Sequence, residues 1–118
     1  MLRDGEETVQ ISARRYDKTT IFDVSGDIDF ANSPEVRQSV LRELREIRTS
    51  RVVVNLSQVR YIDSSGVASL IEGLKAARDL GSRFILIGLS TSAREVLQLS
   101  RLTKVFEIYD NEEQALAA

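Results

Sequence analysis

Arg51-Val52-Val53-Val54-Asn55-Leu56, followed shortly by Tyr61-Ile62-Asp63-Ser64-Ser65-Gly66-Val67, decides the fold of this chain. The run of valines over 51–56 predicts a short strand covered on both faces. After Ser64-Ser65-Gly66 the apolar residues Val67, Leu70, Ile71, Leu74 and Ala77 recur at helical spacing. This amphipathic helix ends near Gly81, a residue suited to the left-handed C′ position. Phe84-Ile85-Leu86-Ile87 then supplies the next buried strand. Strand–helix–strand order of this kind requires parallel pairing by right-handed crossovers.

The same logic extends in both directions. Upstream, Ser33-Pro34-Glu35 opens a helix, with Ser33 suited to the N-cap and Pro34 to N1. Val36, Val40, Leu41, Leu44 and Ile47 form its apolar stripe. Further back, Val9, Ile11 and Ala13 alternate with polar residues over 8–14, and Thr20, Phe22 and Val24 continue the alternation after a turn at Tyr16-Asp17-Lys18. These two strands form an antiparallel hairpin, and Gly26 is expected to end the second. Downstream, Ser92-Ala93-Arg94-Glu95 matches a capping box before Val96, Leu97 and Leu99. Residues 105–109 make a fifth strand, and Asp110 is expected to cap a last helix through Glu113, Leu116 and Ala117. The expected fold class is α/β. It is a mixed, mostly parallel sheet of about five strands packed with about four helices, in the order ββαβαβαβα.

The chain has 118 residues, one domain's worth, and is read as a single domain over 1–118 with a polar lead-in at 1–7. That length buries enough apolar surface to fold without disulfides or a structural metal. There is no cysteine and no histidine. Thiolate metal sites, redox pairs, cysteine nucleophiles, Ser-His-Asp hydrolysis and histidine phosphorelay are thereby excluded. Sixteen basic against 18 acidic residues leave a net charge of −2, so nothing points to nucleic acid or an anionic membrane. The opening residues lack the apolar core of a signal peptide, and no run approaches the roughly 20 apolar residues that span a bilayer. A cytoplasmic protein without membrane insertion is expected. The small size and evenly mixed charge fit a monomer.

Two segments are candidates for function. Asp63-Ser64-Ser65-Gly66 sits where a strand feeds a helix, the edge at which α/β proteins commonly bind ligands. A helix N-terminus offers free N–H groups and partial positive charge, so a phosphate added there finds donors. The same residues also describe any helix start. Ser25-Gly26-Asp27-Ile28-Asp29-Phe30-Ala31-Asn32 is the second segment. Two carboxylates alone make a poor cation site, but this loop reaches the same sheet edge. Neither segment has the glycines of a nucleophile elbow, and a Ser–Lys pairing with Lys75 has nothing to place it. No Gly-rich phosphate loop supports a nucleotide-binding domain.

Gly26-Asp27-Ile28-Asp29 taken with Tyr61-Ile62-Asp63-Ser64-Ser65-Gly66 resembles the STAS family of anti-sigma factor antagonists. The similarity continues through Leu97-Gln98-Leu99-Ser100-Arg101-Leu102 and Val105-Phe106, and covers nearly the whole chain. The resemblance implies a non-enzymatic partner switch with no cofactor, no metal and no catalytic residue. An unphosphorylated antagonist binds an anti-sigma factor that is a serine kinase; the kinase phosphorylates it and releases it, and a phosphatase acting on the phosphoserine restores binding. By the same resemblance Ser64 is the phosphorylated serine, and Asp27, Asp29, Asp63, Ser64, Ser65 and Gly66 form the partner-binding surface. An alternative within the family is a non-switching subunit of a signalling scaffold or of a lipid-trafficking ABC transporter, where Ser64 is mainly a helix cap. Arg101 stands where family members often carry glycine.

Overall fold

The computed structural model describes residues 9–118. The lead-in at 1–7, and Thr8 of the first expected strand, lie outside the described residues. Strands β1 (Gln10–Tyr16) and β2 (Thr19–Ile28) form the hairpin. Helix α1 (Ser33–Arg42) continues into a π turn (Glu43–Ile47), and β3 (Arg51–Ile62), α2 (Ser64–Asp79) and β4 (Arg83–Ile87) follow. Helix α3 (Thr91–Leu99), β5 (Glu107–Tyr109) and α4 (Glu112–Ala117) complete the chain. The sheet order is β1-β2-β3-β4-β5, with only β1 antiparallel to its neighbour.

That order has a direct consequence. Each parallel strand is added on the same side of the one before it. Right-handed crossovers therefore place α1, α2 and α3 on one face. Their apolar stripes meet Phe22, Val52, Val54, Phe84 and Leu86 in a single core. The opposite face holds a second, smaller cluster of Ile21, Val53, Ile85 and Ile87 beneath Ala115 of α4. Val52, Val53 and Val54 are fully buried, so the expected double coverage holds at the start of β3. Away from Ala115, toward the start of α4, this face turns polar. Arg14 bonds Asp23 through two nitrogens (2.6 and 3.0 Å) and also reaches Glu112 (2.9 Å), while Asn55 donates to Asp23 (2.9 Å).

Several expectations are corrected. β2 does not stop at Gly26: its pairing with β3 shifts register between Asp23 and Ser25 and again between Gly26 and Asp27, and the strand continues to Ile28. Gly26 supports this irregularity at φ +97°. β3 runs to Ile62 rather than Leu56, so Asp63 directly follows the strand. The caps also move. Ser33 and Pro34 lie inside α1, whose N-cap is Asn32, and the Asn32 side chain does not cap the helix amides. Ser90, not Ser92, caps α3, and Asn111, not Asp110, caps α4. Ser92 instead donates to the carbonyl of Arg60 (2.7 Å).

At the π turn two adjacent residues are buried in different directions. Leu44 enters the core, while Glu43 points toward the hairpin, where Arg15 (2.6 Å) and the hydroxyl of Thr20 (3.3 Å) satisfy its carboxylate. An extra residue in the turn accommodates both. It also expels Ile47, expected on the apolar stripe, which is 52% exposed.

Candidate functional site

The site is built at the carboxyl ends of β2 and β3. Asp63 leaves β3 in extended conformation and becomes the N-cap of α2. One carboxylate oxygen accepts the amide of Gly66 (3.0 Å). The other accepts the amide of Phe30 (3.2 Å), in the loop after β2. Its own amide donates to the carbonyl of Ile28 (3.3 Å). Asp63 thus ties the helix start to the neighbouring loop, two segments 33 residues apart in sequence.

The loop is held from within as well. Asp29 accepts the amide of Asn32 on its side chain (3.0 Å), and its carbonyl accepts the amide of Ser33 (2.7 Å). The side chain of Asn32 donates to the carbonyl of Asp27 (3.1 Å). Asp27 forms an ion pair with Arg60 (3.3 Å). The two loop acids are therefore engaged separately, one by a cation on β3 and the other by its own turn. They do not converge as a cation cradle.

Ser64 is the first residue of α2 and is exposed; Ser65 is half-buried and Gly66 buried. Asp63, not Ser64, caps the helix, which frees the Ser64 hydroxyl from a structural task. Of the first-turn amides, that of Gly66 goes to the Asp63 side chain and that of Val67 to the Asp63 carbonyl (3.0 Å). The amides of Ser64 and Ser65 have no intrahelical acceptor, as at any helix start. Lys75 lies 11 residues further on, about 16 Å along the axis, so it cannot serve Ser64 as a base.

The structure brings Asp27, Asp29, Asp63, Ser64, Ser65 and Gly66 to one edge, as expected from sequence. It also adds Phe30, 80% exposed although its backbone is clamped, and Tyr61, 54% exposed beside Asp27. Both aromatics sit within the quoted segments, but nothing in sequence alone says that they face outward. Because the strand order never reverses, the sheet has no crevice between diverging helices of the kind that seats dinucleotides. The edge is a surface, suited to docking.

Comparison with known proteins agrees with this architecture. The model of the STAS domain matches residues 10–115. An anti-sigma F factor antagonist of Paenibacillus polymyxa is 26% identical over 108 residues, covering 92% of each chain. An anti-sigma-B factor antagonist of Listeria monocytogenes is 28% identical over 102 residues, covering 86% of this chain and 87% of the relative. Among solved structures, a putative anti-sigma factor antagonist of Thermotoga maritima superposes with a TM-score of 0.84 at 22% identity, covering 91% and 92% of the two chains. The match runs through every strand and helix from β1 into α4, and on it this chain belongs to the STAS domain family.

Proposed function

We propose that this protein is an anti-sigma factor antagonist that docks on an anti-sigma factor serine kinase and is released by phosphorylation of Ser64. The observation that carries the reading is the exposed Ser64 hydroxyl at the start of α2, relieved of capping by Asp63 and joined through it to the Asp29–Phe30 loop. A phosphoserine adds about −1.5 to −2 charges at neutral pH. Placed beside Asp63 and the Asp29 loop, that charge has to be desolvated inside an interface already rich in carboxylates. An imperfectly paired charge of this kind costs about 2–5 kcal/mol, or roughly thirty- to several-thousand-fold in affinity. No refolding is needed.

The names of the curated relatives support an antagonist role. The alternative of a non-switching subunit gives Ser64 only a capping role, which Asp63 already fills. The test is incubation with the cognate kinase and ATP. One phosphate is expected, located at Ser64 by tandem mass spectrometry. Ser64→Ala is expected to remain bound to the kinase and Ser64→Asp to bind poorly. A phosphate on another residue, or equal binding by both variants, defeats the proposal.

A further inference from the structure

Charge nearly balances over the whole chain, 16 basic against 18 acidic residues, but it is separated locally and in space. Residues 26–35 carry Asp27, which Arg60 of β3 pairs, together with Asp29 and Glu35 and no cation of their own, whereas 37–51 carry five arginines against Glu43 and Glu46. Helix α1 connects the two groups, so they lie at opposite ends of the parallel strands. β3 spans about 40 Å between those ends, close to the longest dimension of 41 Å.

At the far end, the π turn and the segment that follows it meet the turn after α2 around a cavity of about 330 Å³. Leu44 and Leu80 line it with Arg45 and Arg48, and no acid is among the lining residues. Glu43 is consumed by Arg15, Arg37 pairs with Glu72, and Arg51 is held by Thr19 and the carbonyl of Ala115. Arg45 and Arg48 form no ion pair among the described residues. Leu80 is 52% exposed at the rim. A cavity of roughly 150 Å³ already admits benzene, so this one has room for an aromatic side chain.

The near end presents a matching shape. Phe30 projects from a rigid loop beside Asp29 and Asp63, with exposed Glu35 close behind in α1. It is an aromatic knob in an acidic collar, facing away from a hole with an arginine rim on the same molecule. We propose that the protein self-associates head to tail, Phe30 of one copy entering the Leu44–Leu80 cavity of the next with the collar against Arg45 and Arg48. Such a contact joins two different patches, so it extends into open chains and does not close into a dimer. The contact is small, and its affinity is correspondingly low. It uses the edge assigned above to the kinase, so the two associations exclude one another. The contact itself needs neither kinase nor phosphate.

The experiment is sedimentation velocity of the purified full chain over the micromolar-to-millimolar range, at low and high salt. Wild type is expected to sediment faster as concentration rises, and 1 M salt is expected to suppress the increase. Phe30→Ser removes the knob and keeps the hole; Arg45→Glu spoils the hole and keeps the knob. Each alone is expected to stay at the 13.2 kDa monomer mass, while an equimolar mixture forms a capped species of twice that mass. Leu80→Ser is a second hole variant, expected to behave as Arg45→Glu does. Wild type that remains monomeric throughout, association that survives Phe30→Ser, or a mixture that fails to pair overturns the proposal and leaves the cavity to a different acidic partner. None of these results bears on phosphorylation of Ser64.

Discussion

Gly66 meets the carbonyl oxygen of Ile28 so closely that a β-carbon on it would stand well inside 3.0 Å of that oxygen. The same β-carbon would lie 2.7 Å from Ile62 Cγ1. The first turn of α2 is thereby pressed onto the ends of β2 and β3, and only a residue without a side chain allows it. Gly66→Ala gains helix propensity but forces the helix off a backbone oxygen that cannot yield. The net loss is expected to be about 2 kcal/mol. Thermal melting checks this, with a fall of roughly 6–10 °C for a chain of this size.

Asp63 bonds both Gly66 and Phe30, so its removal acts on two elements at once. Loss of the cap in Asp63→Ala costs about 1 kcal/mol. The amides of both Gly66 and Phe30 are expected to exchange with deuterium faster, in the same variant and by comparable factors. Faster exchange at Gly66 alone contradicts the clamp.

Arg101 occupies the left-handed region at φ 59°, at the turn that ends α3. Its amide and that of Leu102 bond back to Gln98 (3.0 Å) and Leu97 (2.8 Å). The turn therefore has the conformation that glycine would give it, with the strain borne by an arginine. Arg101→Gly is expected to stabilise the protein by about 0.5–1 kcal/mol, after the greater freedom of glycine in the unfolded chain is subtracted. The melting temperature is expected to rise by about 2–4 °C. An unchanged or lowered melting temperature contradicts this.

Asp23 is held below the ordinary carboxylate range chiefly by its hydrogen bonds from Arg14, aided by Asn55 and opposed by partial burial. A carboxyl with a depressed folded value contributes stability that is fully present above its unfolded value, near pH 4. That contribution is lost as pH falls through the lower folded value. Wild type is therefore expected to melt above Asp23→Asn at pH 6, with the gap closing below about pH 4. A gap that persists undiminished to pH 2 assigns the effect to packing instead.

The elements that sequence revealed are those with a buried face. Helix α2 was legible because Val67, Leu70, Ile71, Leu74 and Ala77 follow the helical period, and strand β4 because Phe84-Ile85-Leu86-Ile87 is a short continuous apolar run, as a strand covered on both faces requires. Caps were less legible, because serine, aspartate and asparagine can all accept from a helix amide. Which one does depends on where the loop arrives. Ser90 rather than Ser92 accepts from Ala93, since Ser92 is drawn to the carbonyl of Arg60 on β3. Leu99 continued an apolar pattern by spacing, yet it is 84% exposed because α3 ends there and Leu102 turns inward in its place. The burial of Glu43 in the π turn was invisible from local sequence: its partners are Arg15 and Thr20, residues brought to it by the hairpin.

For this protein the amino-acid sequence by itself determined the order of strands and helices and the residues that meet at one sheet edge. Hydrophobic period and chain connectivity are properties of neighbours along the chain. The tertiary structure alone decided that Asp63 takes the helix cap, that Ser64 is left free and exposed, and that Phe30 stands out on a fixed loop. The cap itself spans only three residues, from Asp63 to Gly66, but the clamp on the Phe30 loop and the close seat of Gly66 on Ile28 join segments more than 30 residues apart, which no local pattern encodes.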